Sequence, residues 1–229
     1  MIVLLSGEGT SDLGTAQKHG PLFHIINKVL EREWGFEPEY QYISETKLND
    51  NSKKLDNKER RHLSRGKKIY TETKGFYKTA FVMAKEAEKL SSEKHCVVVS
   101  VLFRDSDGTN SSQRNLWEKQ CYSMVNGFQH AEYEYGVPMI PRPKSEAWLL
   151  CYFQKNKFQN CNRFEDIPGN DGSPNSAKSQ LAKALKTEIP NIYDHIDAHL
   201  IDWQKVNMNS FNCFMDRLKE VAKLALNNQ

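Results

Sequence analysis

The stretch CVVVSVLFRDSDGT, from Cys96 to Thr109, does most to limit what this chain can fold into. Between Val97 and Phe103 every residue is apolar except Ser100, and four of them are valine. A strand apolar on both faces must be covered on both faces, as strands in the middle of a parallel sheet are. It runs straight into an acidic turn, Asp105-Ser106-Asp107-Gly108. Ile2–Leu5 is a second short apolar run, ending in the turn Gly7-Glu8-Gly9. Glu39–Ser44 alternates polar and apolar residues, and Val137–Ile140 is a fourth short candidate strand.

Helical stripes separate these strands. Gly20-Pro21 opens one that carries Leu22, Phe23, Ile25, Ile26, Val29 and Leu30, with proline at the first helical position. Phe76–Leu90 forms another, with Ser91-Ser92 as its stop, and a third carries Leu116, Trp117, Cys121, Met124 and Val125. Ser145 is placed to cap a helix through EAWLLCYF. The order β-α-β-α-β-α-β-α predicts an α/β fold, a mainly parallel sheet with helices on both faces. The tail reads as helical: Ser176 to about Thr187, Pro190 to about Leu200, and a last stripe from Phe211 to Ala225. The expected organisation is an α/β unit over residues 1–156, with a basic insertion at about 45–70, and a helical elaboration over 157–229 packed on the same unit. The Gly/Asn/Pro-rich loop at 167–176 is the weakest candidate boundary.

The chain has 229 residues, enough for a sizeable core, and no apolar run long enough to span a membrane. The start, MIVLL, has no basic flank and reads as a strand, not a signal peptide. Five scattered cysteines with no Cys-x-x-Cys argue against disulfides and a zinc ribbon, and for a reducing cytoplasm. Charge is uneven: residues 45–70 hold nine Lys/Arg against four acids, on a chain whose net charge is only +3. Such a segment is either a solvated loop or a grip on a polyanion. Its candidate nucleic-acid contacts are Lys53, Lys54, Lys58, Arg60, Arg61, Arg65, Lys67 and Lys68. Arg104, Arg142 and Lys144 flank the acidic turns, where they can hold phosphates or pair with the acids.

In a parallel sheet all strand C-termini share one edge, where ligands bind. The turns after the first and third strands would therefore bring Glu8, Asp105 and Asp107 together. Carboxylates in that arrangement suit a hard divalent cation that also binds a phosphate oxygen. Alone, each turn is weak: DSDG is commonly an Asx-turn, and GEGTSD lacks the third glycine and the lysine of nucleotide-cradling loops. Together, GEGTSD (7–12) and FRDSDGT (103–109) resemble the Toprim domain of topoisomerases, primases, OLD-type nucleases and the maturase of 5S ribosomal RNA. RPKSEAWLL (142–150) and IDWQKVNMNSF (201–211) are similar to segments of bacterial Toprim-like proteins, some tied to phage defence. The likeness implies Glu8 as general acid/base or ligand, Asp105 and Asp107 as ligands of Mg²⁺ or Mn²⁺, and Glu146 as an additional ligand. The implied activity is phosphodiester hydrolysis of RNA or DNA, with a partner ATPase left open. The long basic stretch departs from the family's minimal domain.

DSDGT also matches the first motif of haloacid-dehalogenase-like phosphatases. There Asp105 would be the nucleophile, Asp107 the acid/base, Lys144 the neutralising lysine and Asp171 a second metal ligand. Against it, the motif comes about 100 residues late, and no buried strand leads into IPGNDG. A non-catalytic nucleic-acid-binding or regulatory protein is the third class. His195 and His199, four apart, lack the glutamate of a His-Glu-x-x-His site and read as surface or packing residues. Trp34, Trp117, Trp148 and Trp203 read as packing anchors.

Overall fold

The computed structural model of the chain describes residues 1–8, 11–107 and 115–228. Four strands, β1 (Ile2–Ser6), β2 (Glu39–Tyr42), β3 (Val98–Phe103) and β4 (Gly136–Met139), form one all-parallel sheet in the order β2-β1-β3-β4. The α/β class is as the sequence predicts. Leu5 lies opposite Tyr42 on one side and Val101 on the other, and Ser6 opposite Leu102. The chain runs outward from β1 to β2, then crosses back to place β3 on the other side of β1. The order of connections therefore reverses between β1 and β3, where open parallel sheets place their binding crevice.

Alternation along the strands sorts the core into two faces. Val3, Leu5, Val99, Val101, Phe103, Val137 and Met139 pack with α1 (Pro21–Trp34), α6 (Ser145–Phe153) and α8 (Asn209–Asn227). Ile2, Leu4, Val98 and Leu102 pack with α4 (Lys74–Lys94) and α5 (Leu116–His130). The C-terminal tail belongs to the first face. Trp148 is fully buried against Phe211 and Phe214, its indole N–H donating to Ser210 Oγ (2.8 Å), and Trp34 Nε1 donates to the Ala222 carbonyl (2.8 Å). All four tryptophans are buried.

The basic segment is not an irregular loop. It forms α2 (Glu45–Asn51) and α3 (Asn57–Ile69), and Leu48, Leu55 and Leu63 join the second core face. A capping box starts α3: Asp56 Oδ1 accepts from Glu59 N (2.8 Å), and Glu59 Oε2 accepts from Asp56 N (3.0 Å). At Gly66 any side chain would collide with the Tyr77 ring, so glycine sets how closely α3 approaches α4. Sparse leucines, a cap and one glycine are enough to fold a segment with little hydrophobic pattern.

Three further expectations are corrected. The helix over 76–90 does not stop at Ser91-Ser92 but runs on to Lys94, because both hydroxyls bond to carbonyls, of Cys96 and Glu88, and compete little with the helix. Pro190–Leu200 is not a helix: it forms 3₁₀ turns at Ile189–His195 and Ala198–Leu200, separated by extended residues at Ile196 and Asp197. Cys151 and Cys161 are joined in a disulfide, their Cα atoms 5.1 Å apart. The chain doubles back after α6, with Phe158 N donating to the Cys151 carbonyl (2.7 Å), and spacing along the sequence does not reveal this turn. The cysteine argument for a reducing compartment falls with it. α7 (Ala177–Leu185) follows the 167–176 loop as expected, capped by Ser176. Among the described residues no helix is long and apolar enough to cross a membrane.

Candidate functional site

The turns after β1 and β3 lie side by side, and an ion pair joins them: Arg104 Nε to Glu8 Oε1, 2.6 Å. Four residues of the two motifs, Gly9, Thr10, Gly108 and Thr109, lie outside the described residues. Gly7 leads out of β1 in close quarters, where an added Cβ would press on Phe103 and Leu13. Asp12 is then fixed by its own backbone, its carbonyl accepting from Leu22 N (3.0 Å) in the first turn of α1. On the other side the chain after β4 returns through Arg142-Pro143, a cis peptide, to place α6 against the DSD turn. Ser106 and Asp107 both donate backbone N–H bonds to the Pro143 carbonyl (3.1 and 3.2 Å).

These turns gather five carboxylates in two tiers. The inner tier is Asp12, Asp105 and Glu146. Asp12 and Glu146 are buried, and two hydroxyls bracket them. Tyr193 Oη lies 3.1 Å from both Asp12 Oδ1 and Glu146 Oε1. Ser145 Oγ donates to Asp12 Oδ1 and lies 3.5 Å from Glu146 Oε2. Asp105 Oδ1 accepts the Ser145 backbone N–H (3.1 Å). Among the described residues no lysine or arginine comes within ion-pair distance of these three carboxylates. Burial, then repulsion from Glu146 working against the two hydroxyl bonds, pushes Asp12 up to about 6. Burial, with the charges of Asp12, Glu146 and Asp107, holds Asp105 well above the usual carboxylate range. Tyr193, half-buried with its hydroxyl between two carboxylates, is raised far above an ordinary phenol and stays a proton donor.

The outer tier is Glu8 and Asp107, and each has a cation. Arg104 pairs with Glu8, reaches Glu45 at the start of α2 (3.5 Å), and lies over the Phe76 ring. Burial raises Glu8 somewhat despite the arginine. Lys144 bridges Asp107 (3.1 Å) and Asp171 (3.0 Å). Burial alone would lower this lysine, but its bonds to Asp171 and Asp107 together raise it. Asp107 takes a left-handed backbone (φ 44°), a conformation aspartate tolerates better than most residues.

Of the predicted phosphate contacts, Arg104 and Lys144 are thus tied to acids, and Arg142 pairs with Asp166 (3.1 Å). The eight candidates of the basic segment are all exposed. Lys58, Arg61, Arg65 and Lys68, at helical spacing, share the face of α3 opposite Leu63 and Gly66. Lys53 pairs with Asp50 (2.8 Å). His195 and His199 are exposed and sit on separate 3₁₀ turns, so the helix face that would have paired them does not form; His199 packs instead on His24, ring centroids 4.1 Å apart.

Three residues of the site are not singled out by the sequence pattern. Asp12 stands four residues after Glu8 inside the GEGTSD motif, and that spacing is a usable signal. Ser145 is expected to cap α6, but the cap position falls to Lys144; Ser145 is the first helical residue and its hydroxyl goes to Asp12. Tyr193 comes from the tail, 181 residues from Asp12, with no local signal at all.

All five carboxylates offer hard oxygen donors, the kind that Mg²⁺ and Mn²⁺ take. Among the described residues no three Asp, Glu, His or Cys side chains stand close enough to hold an ion as they are placed. The fit is therefore one of donor chemistry and uncompensated charge. Compared with family models, with curated proteins and with solved structures, the chain finds no match in any of the three.

Proposed function

We propose that the protein is a Mg²⁺- or Mn²⁺-dependent phosphodiesterase acting on nucleic acid. One observation carries this reading: three carboxylates crowd the switch point of a parallel sheet, and among the described residues no lysine or arginine forms an ion pair with them. Repulsion among buried acids is relieved either by retained protons or by a bound divalent cation. Asp12, Asp105 and Glu146 would hold the metal, with Glu8 and Asp107 at its rim. When bound, it supplies Lewis-acid polarisation of a phosphoryl oxygen and a more acidic water.

The chain's own residues divide the remaining work. Glu8, at the open side of the turn, can accept a proton from water or return one to a leaving oxygen. Arg104 orients it and lies where a phosphate would approach. Lys144 keeps Asp107 facing the same rim. Lys58, Arg61, Arg65 and Lys68 offer a row of exposed charge on α3, which packs on α4, whose first turn carries the Phe76 ring under Arg104. Such a row binds backbone phosphates without reading sequence.

The test is incubation of labelled RNA and labelled DNA with wild type and Asp105→Asn, in Mg²⁺, Mn²⁺ or EDTA. Cleavage that needs metal and is lost in Asp105→Asn supports the proposal, and absence of cleavage by wild type with either metal and either substrate overturns it.

A phosphatase of the haloacid-dehalogenase kind is the second reading, favoured by the Lys144 bridge between Asp107 and Asp171. It would use Asp105 as nucleophile. Asp171, however, follows a 3₁₀ turn and a loop, with no strand leading to it. Turnover of p-nitrophenyl phosphate with no cleavage of RNA or DNA would favour this reading.

A further inference from the structure

We propose that Tyr193 is a positioning residue of the carboxylate site, so that the C-terminal segment completes the site as well as the core. This rests on the metal-dependent reading above. Tyr193 sits in the 3₁₀ turn Ile189–His195, which is anchored from below by fully buried Ile192 and packs against α7. The turn is tied to the β1–α1 connection by Asp194, paired with Lys18 (3.2 Å). Nearby, Lys28 of α1 donates to the His199 carbonyl (2.9 Å). The segment is thus strapped over the turn that carries Asp12.

The phenol oxygen is 3.1 Å from a carboxylate oxygen on each of two elements, Asp12 after β1 and Glu146 on α6. A phenol has one proton and donates to one acceptor at a time, so this hydroxyl alone cannot satisfy both acids. Ser145 Oγ supplies the second proton, donating to the same Asp12 oxygen that Tyr193 faces. Two hydroxyls facing two carboxylates balance donors and acceptors, and they fix the spacing between Asp12 and Glu146. Groups that orient a metal's ligands in this way typically change metal affinity about 10- to 100-fold when removed. A hydroxyl that merely filled space would show itself in stability and leave metal affinity alone.

Tyr193→Phe removes the oxygen and keeps the ring. Mn²⁺ affinity, read from the electron paramagnetic resonance signal of free Mn²⁺, is expected to weaken about tenfold. On nucleic acid, kcat should fall while KM holds, and the circular dichroism spectrum should match wild type. If wild type binds Mn²⁺ and Tyr193→Phe binds it equally well, the positioning role is overturned and the metal-dependent reading stands. If wild type itself binds no Mn²⁺, both fall. A Tyr193→Phe chain that unfolds outright also overturns the role, since the hydroxyl would then be holding the fold.

Discussion

The inner and outer carboxylates of this edge are a few residues apart in sequence and held by opposite means. Glu8 and Asp107 each face a cation, and each is partly open to solvent. Asp12, Asp105 and Glu146 lie deeper and are held by hydroxyls and one backbone N–H. A side-chain cation stabilises a carboxylate permanently, whereas a hydroxyl leaves most of the negative charge uncompensated in a place where water cannot screen it. The inner tier is therefore the part of the molecule that gains most from a divalent ion.

Substitutions should separate the tiers. Asp105→Asn and Asp12→Asn, on the inner tier, are expected to lower kcat for nucleic-acid cleavage by about 10³-fold or more, on the scale of losing a principal electrostatic contributor. Glu8→Gln and Asp107→Asn should cost roughly 10- to 100-fold, the range of lost proton transfer or of an outer-sphere partner. Equal losses in both tiers would erase the distinction.

Stability in EDTA should run the other way. Asp12 titrates near 3.8 when unperturbed and at about 6 in the fold. The folded state thus binds this proton more tightly than the unfolded chain does. The stabilisation is fully present below about pH 4 and is lost as pH rises through 6, after which the ionised form costs about 3 kcal/mol. Asp12→Asn should accordingly raise the melting temperature of the metal-free protein by several degrees at pH 7.5 and have little effect near pH 4. Glu8→Gln, which removes one half of a partly exposed ion pair, should change stability by less than about 1 kcal/mol. Thermal unfolding at the two pH values checks both.

A smaller effect is expected from α3. Reversing Arg61, Arg65 and Lys68 to glutamate should weaken nucleic-acid binding without regard to sequence. It should also flatten the dependence of log K on log salt by about one for each phosphate that is no longer neutralised. Binding titrations at several salt concentrations would reveal this, and unchanged binding would make α3 a solvated face only.

What could be read from the sequence follows the range of the interactions. The strands and helices of the sheet are legible because periodicity is local: Val97–Phe103 can hardly be anything but a central strand. The meeting of the Glu8 and Asp105 turns follows from topology, since parallel strands put their ends on one edge. What each carboxylate touches there does not follow. The Arg104–Glu8 pair depends on side-chain direction, the Tyr193 bridge on a contact across 181 residues, and the Cys151–Cys161 link on a loop reversal. The fold of α2 and α3 hides behind charge because only Leu48, Leu55, Leu63 and Gly66 carry it.

The most direct measurement is a crystal structure of the wild-type protein soaked in Mn²⁺, with the ion located by its anomalous signal. A cation within about 2.2 Å of oxygens from Asp105 and from Asp12 or Glu146 is the predicted result. An ion bound only elsewhere, or none at that edge with the five carboxylates still arranged as described, would contradict the account.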